Sequence, residues 1–118
     1  MIQVNKTAKN IDDGIKFMID AMVLDYSGFN RHNKVDVVRD KMYKDYKNGF
    51  KITNGLKYIK VTNDGSVKAF IVKSDNGKFK TGDILKPAGW RAPAMNSARG
   101  NVLTGNYSIQ WTGPLYLK

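Results

Sequence analysis

Apolar residues recur at intervals of three and four along two segments in the first half of the chain. In the first segment they run from Ile11 to Tyr26, and Asn10 stands where a helix-capping side chain belongs. In the second segment, over residues 34–47, they again share one helical face, and Asn48-Gly49 supplies a stop. The spacing therefore predicts two amphipathic helices that follow a short polar lead-in.

The period of the apolar positions changes from helical to alternating at Phe50. Residues 56–62 and 66–73 alternate on either side of Asn63-Asp64-Gly65, a turn sequence typical of a β-hairpin. Residues 107–112 show the most regular alternation in the chain. Turns that contain glycine divide the rest of the second half, which leaves room only for short strands.

This order of elements predicts an α+β fold, because the helices precede the strands instead of alternating with them. We expect two N-terminal helices followed by a curved antiparallel sheet or a small β-barrel of five to seven short strands. The length of 118 residues favours a single domain over 1–118. Its helical part would span about 11–47 and its β part about 50–117.

Charge is the one extreme of the composition. Twenty Lys and Arg residues stand against ten acids, all of them Asp, which gives a formal net charge of +10. No acid follows Asp83. A surface of this sign attracts polyanions, because phosphates that are neutralised release their counterions. A basic excess can also serve solubility alone, so charge favours polyanion binding without establishing it.

Residues 86–101 form the most unusual segment of the sequence. The segment holds two of the three prolines, one of the two tryptophans and two of the four arginines. Trp90 supplies an aromatic plane on which a base can stack, and Arg91 and Arg99 supply two planar cations that can bind phosphates. The alternative is structural: Trp90 would plug the open end of the sheet, and Arg99 would tie the loop to a backbone carbonyl.

Single lysines on the predicted strands would contact phosphates beside this loop. The sequence contains no block of consecutive basic residues and no signature of a recognition helix, so we expect nucleic-acid binding with little sequence specificity. The candidate lysines are Lys57, Lys60, Lys68, Lys73 and Lys80.

The second half of the chain resembles the C-terminal half of small uncharacterised proteins of tailed bacteriophages. The resemblance covers roughly residues 50–118, and it is carried by residues 79–90, by Ala98-Arg99-Gly100-Asn101-Val102 and by residues 111–117. It implies a phage setting for the protein. It brings no activity and no catalytic residues.

The sequence lacks most of the groups that metal and catalytic sites need. Cysteine is absent and His32 is the only histidine, which excludes a thiol nucleophile, a disulfide framework and a multi-histidine metal site. We therefore expect no cofactor and no metal, and enzymatic activity is unsupported. With no recognisable secretory signal and no apolar run long enough for a membrane span, we expect a location in the host cytoplasm or the virion, without membrane binding.

These features lead to one first hypothesis and two alternatives. The first is a small basic phage accessory protein that binds nucleic acid or another polyanion. The second is a protein-interaction module, a virion component or an inhibitor of a host enzyme, in which Trp111 and Tyr116 of the apolar C-terminal segment form the interaction surface. The third is an enzyme acting on an anionic small molecule, which would need Arg91, Arg99 and Asp83 in one pocket.

Overall fold

A computed structural model of the protein describes residues 1–30 and 36–115. His32, Tyr116 and the first two residues of the predicted second helix lie outside the described residues. The elements in chain order are β1 (Ile2–Val4), α1 (Ile11–Asn30), α2 (Asp36–Asn48), β2 (Phe50–Asn54), β3 (Tyr58–Asn63), β4 (Ser66–Val72), β5 (Ile84–Leu85), β6 (Tyr107–Gln110) and β7 (Gly113–Pro114).

Helix α1 begins where the helical spacing predicts it and supplies much of the core. The side chain of Asn10 accepts a 2.8 Å hydrogen bond from the backbone N–H of Asp13, which caps the helix. A Cβ atom at Gly14 would collide with the carbonyl oxygen of Val102, so the glycine lets α1 lie directly against the segment that leads to β6. The buried residues of its inner face are Ile15, Met18, Ala21, Met22 and Tyr26.

The strands form two antiparallel sheets. One sheet has three strands in the order β1-β6-β7, and the other has four in the order β2-β3-β4-β5. The predicted hairpin is confirmed as β3 and β4. Its turn residues Asp64 and Gly65 have φ angles of 48° and 78°, the positive values that a tight hairpin turn requires.

The predicted arrangement of the fold was wrong. The chain starts with a strand, not with two helices, and its strands divide into two sheets instead of forming one curved sheet or barrel. The helices are also unequal, with 20 residues in α1 and 13 in α2. The error has a physical cause: β1 has three residues, too few to show alternation, and it pairs Ile2 with Ile109 near the other end of the chain.

Both faces of the four-stranded sheet are covered at β4 and β5, whereas most of the edge strand β2 is exposed. On its inner face, Ile59, Val61 and Ile71 belong to the main apolar cluster, which joins α1 to both sheets. On its outer face, Phe70 and Leu85 belong to a second cluster, against which Ala98 of the long loop packs. The loop over 86–101 therefore lies across the outer face, and this position determines where the candidate site forms.

Candidate nucleic-acid interface

The first part of the long loop folds back on itself and presents Trp90 and Arg91 at its tip. Its two prolines, Pro87 and Pro93, face each other in an isolated antiparallel bridge. Inside that bridge, the N–H of Ala88 donates a 3.0 Å hydrogen bond to the carbonyl oxygen of Ala92. This part of the loop, for which the sequence predicted no regular structure, is thus a short turn held by backbone hydrogen bonds.

Trp90 is held against β3 by Lys60. The Lys60 Nζ atom lies 4.1 Å from the centroid of the Trp90 ring and donates a 3.0 Å hydrogen bond to the Trp90 carbonyl oxygen. This is a cation–π contact, and the second bond fixes the amine in place. Trp90 remains 54% exposed, so its ring does not fill the open end of the sheet.

A cavity of about 200 Å³ opens beside this contact, between β3, the turn before it and the loop tip. Three of its lining side chains are cationic, those of Lys57, Lys60 and Arg91, and two are aromatic, those of Tyr58 and Phe70. None of its lining residues is acidic. We call the six residues Lys57, Tyr58, Lys60, Phe70, Trp90 and Arg91 the Trp90 patch.

The alternation of strand side chains explains how the sheet part of the patch arises. Tyr58 and Lys60 lie two residues apart on β3, so both side chains point to the outer face. Phe70 of β4 is the direct cross-strand partner of Lys60. The rings of Tyr58 and Phe70 meet edge to face with centroids 6.1 Å apart, which gives the cavity a firm aromatic wall.

Lys73 supports the patch and does not line its cavity. Its Nζ atom donates a 2.8 Å hydrogen bond to the carbonyl oxygen of Gly55, in the turn between β2 and β3. The backbone N–H of Lys73 also donates to the carbonyl oxygen of Lys57. Lys73 therefore fixes the turn that carries Lys57.

Arg99 is engaged in the structure of the loop. Its guanidinium donates hydrogen bonds to the carbonyl oxygens of Leu115, at 2.8 Å, and Ser97, at 3.2 Å. A third bond reaches the Asn96 side chain. The structural alternative, in which Arg99 ties the loop to the backbone, describes this geometry.

Lys68 and Lys80 lie apart from the cavity of the patch. Lys68 stands at the bulge of β4 and lines a different groove, where burial lowers the pKa of its amine. Lys80 is exposed, and its backbone N–H donates to the carboxylate of Asp83. Of the five predicted lysines, Lys57 and Lys60 are therefore the two that line the cavity beside Trp90.

The second tryptophan is packed among tyrosines. The rings of Tyr26 and Tyr46 stack with centroids 4.2 Å apart, and Trp111 meets Tyr26 edge-on at 5.3 Å. The Tyr46 hydroxyl donates a 2.5 Å hydrogen bond to the Trp111 carbonyl oxygen, and the backbone N–H of Trp111 donates to Asp25. We call Tyr26, Tyr46 and Trp111 the Trp111 cluster, and it anchors the segment that was predicted to be an exposed interaction surface.

A larger groove of about 650 Å³ lies beside the Trp111 cluster. It is lined by two carboxylates, those of Asp45 and Asp64, together with the partly buried amine of Lys68. Asp45 is also paired with Lys41 at 3.1 Å. This balance of charge does not favour a polyanion, so the smaller cavity of the Trp90 patch is the better candidate site.

The three residues required by the enzyme hypothesis have different surroundings. Arg91 lines the cavity of the patch, and Arg99 is bonded to backbone carbonyls. Asp83 lines a separate open groove, where its carboxylate accepts a 3.0 Å hydrogen bond from Asn101. The geometry therefore offers no shared pocket for these three side chains.

The sequence model of one protein family matches residues 2–117, and that family is described as one of unknown function, DUF7717. The chain belongs to this family. No curated protein and no solved structure matches the chain. The family description names no activity and does not test the resemblance to tailed-phage proteins, which stays a prediction.

Two residues of the site in this DUF7717 member, Tyr58 and Phe70, were not among the residues predicted to bind. Tyr58 is half-buried and Phe70 is 3% exposed, yet both line the cavity beside the cations. The alternation of β3 already placed Tyr58 on the face of Lys60. The cross-strand position of Phe70 depends on the bulge between Val61 and Thr62. No local sequence pattern predicts this bulge, so the pairing of Phe70 with Lys60 could not be predicted.

Neither a metal-binding cluster nor a membrane-spanning helix is found in the described part of this DUF7717 chain. Within residues 1–30 and 36–115, no group of three or more His, Cys, Asp or Glu side chains is arranged to hold a metal ion. None of the described helices combines the length and the apolar character that crossing a membrane requires.

Proposed function

We propose that the protein binds nucleic acid, or another polyanion, with little sequence preference, through the Trp90 patch. The observation that carries the proposal is the juxtaposition of Lys60 with the exposed Trp90 ring, at 4.1 Å, beside Lys57 and Arg91. A surface on which aromatic faces alternate with cations binds single-stranded nucleic acid, because bases stack on the rings and phosphates pair with the cations.

The electrostatics of the chain support this choice. The formal net charge of +10 attracts polyanions to the molecule, and the cavity of the patch offers them cations without a competing carboxylate. Low sequence preference is expected because the patch lies on a strand face and a loop tip and shows no side chains arranged to read base edges in a groove.

The proposal is tested by titrating fluorescently labelled single-stranded DNA, duplex DNA and RNA with the protein at low salt. Between about 50 and 200 mM salt the affinity should fall steeply, because phosphate contacts release counterions. Lys60→Ala and Arg91→Ala should each weaken binding about fivefold to tenfold, the effect of losing one charged contact.

Lys80→Ala is the matched control, because it removes the same unit of charge from an exposed lysine outside the cavity. We expect it to weaken binding by less than about twofold. Equal losses in Lys60→Ala and Lys80→Ala would show that net charge alone binds the polyanion. Undetectable binding of every nucleic acid at low salt would remove the proposal.

A further inference from the structure

The Trp90 patch has an aromatic surface that phosphate binding alone does not use. Lys60 already holds the Trp90 ring in place through the 4.1 Å ring contact and the hydrogen bond to the backbone. More than half of Trp90 is nevertheless exposed, at 54%. A ring that is fixed before binding loses little conformational freedom when a second flat group stacks on it.

The neighbouring cavity, which Trp90 adjoins but does not line, is of a size that suits one flat group. Its volume of about 200 Å³ corresponds to the space of about seven liquid waters, far too little for a helical duplex. Phe70 forms a buried floor, Tyr58 a wall, and Leu56 is 99% exposed at the rim. These apolar surfaces favour a ring over a phosphate, which needs hydrogen-bond donors.

The cations are placed around this aromatic surface. Lys57 precedes Tyr58 in the chain, Lys60 follows it on the same strand face, and Arg91 adjoins Trp90 at the loop tip. Phosphates on either side of a stacked base would therefore meet a positive charge. In a duplex the faces of the bases are covered by their neighbours, so a duplex would gain only the phosphate contacts.

Resting on the proposed function, we propose that the Trp90 patch selects single-stranded nucleic acid by stacking one unpaired base on Trp90. Lys57, Lys60 and Arg91 hold the flanking phosphates. With three cations, the logarithm of the binding constant should fall with the logarithm of salt concentration with a slope of about −2, as single strands release about 0.7 counterion per phosphate.

The test compares three labelled probes of about 12 nucleotides: a strand of thymidines, an abasic strand of the same length and a duplex. The abasic strand carries the phosphates without any base. We expect the thymidine strand to bind about tenfold tighter than the abasic strand, and the duplex to bind no better than the abasic strand.

The outcomes separate this inference from the proposed function. Equal binding of all three probes would overturn base stacking while leaving polyanion binding in place. Tighter binding of the duplex would overturn the selection of single strands. Failure of all three probes to bind at low salt would remove both.

A pair of variants assigns the effect to the indole. Trp90→Leu keeps an apolar side chain and the backbone carbonyl that binds Lys60, but it removes the aromatic face. It should lower thymidine-strand binding to the abasic level and change abasic binding by less than about twofold, whereas Trp90→Phe should retain most of the preference. If Trp90→Leu weakens both strands equally, or neither, Trp90 is not the stacking platform. Thermal unfolding of both variants checks that the fold is intact.

Discussion

The two tryptophans of this chain lie in opposite settings. Trp90 stands on a loop tip, 54% exposed, with a lysine amine against its ring. Trp111 lies against two stacked tyrosines, and its backbone is bonded to Tyr46 and Asp25. The same side chain thus packs the fold at Trp111 and stays exposed at Trp90, where we propose that it binds nucleic acid. Variants of the two regions should accordingly separate binding from stability.

The largest expected effect is on the Trp111 cluster. Trp111→Ala removes an aromatic side chain packed against Tyr26 and Tyr46, and should cost about 3 kcal/mol of folding free energy. Trp90→Ala should cost less than about 1 kcal/mol, roughly the worth of an exposed cation–π contact. Urea denaturation of both variants measures the difference. Equal losses would mean that the two tryptophans have the same structural role.

The two arginines of the long loop should separate in the same way. Arg99→Ala removes the hydrogen bonds to the carbonyls of Ser97 and Leu115 and should cost about 2 kcal/mol. Arg91→Ala should change stability by less than about 0.5 kcal/mol, because Arg91 is exposed. Chemical denaturation, run beside nucleic-acid binding, gives both readouts. A destabilised Arg91→Ala variant would contradict the assignment of that residue to binding.

Two buried tyrosines sharpen the account of the core. Tyr46→Phe loses a 2.5 Å hydrogen bond to the Trp111 carbonyl oxygen and should cost about 1 kcal/mol. The Tyr107 hydroxyl is buried without a hydrogen-bond partner among the described residues, so Tyr107→Phe should be neutral or slightly stabilising. Thermal unfolding distinguishes the variants, and a marked loss in Tyr107→Phe would show that its hydroxyl has a stabilising partner.

The last expected effect, a pH dependence at Tyr107, is confined to alkaline pH. Burial raises the pKa of Tyr107 to about 12, whereas the pKa of an unfolded tyrosine is about 10. Between these values the unfolded chain has released a proton that the folded protein keeps, so Tyr107 lowers stability as the pH rises. Tyr107→Phe should therefore gain stability relative to the unmodified protein between about pH 10 and pH 12. A difference in unfolding free energy between the two proteins that stays constant across that pH range would contradict the burial of the Tyr107 hydroxyl.

Local patterns predicted those parts of the fold that local residues determine. The hairpin turn at Asp64 and Gly65 follows from residues that tolerate positive φ, and the start of α1 follows from Asn10. Strand β1 could not be predicted, because the stability of its three residues comes from pairing with β6 across the whole chain. The division into two sheets depends on that same distant pairing.

The candidate site shows the same division. Composition pointed to Trp90 and Arg91 as a binding pair, but the cation against the indole comes from a strand 30 residues earlier in the chain. Sequence alone also left two roles open for Arg99, phosphate binding and a structural tie to the backbone. Only the carbonyl of Leu115, brought near by β7, shows that Arg99 is structural.

The central claim is that nucleic acid meets the protein at Trp90 and not at Trp111. The two indole N–H groups give two separate signals in a ¹H–¹⁵N correlation spectrum, and both can be followed while an unlabelled thymidine strand is added. We expect the Trp90 signal to shift progressively while the Trp111 signal stays in place. A shift confined to Trp111, or no shift of either signal under conditions where the strand binds, would contradict it.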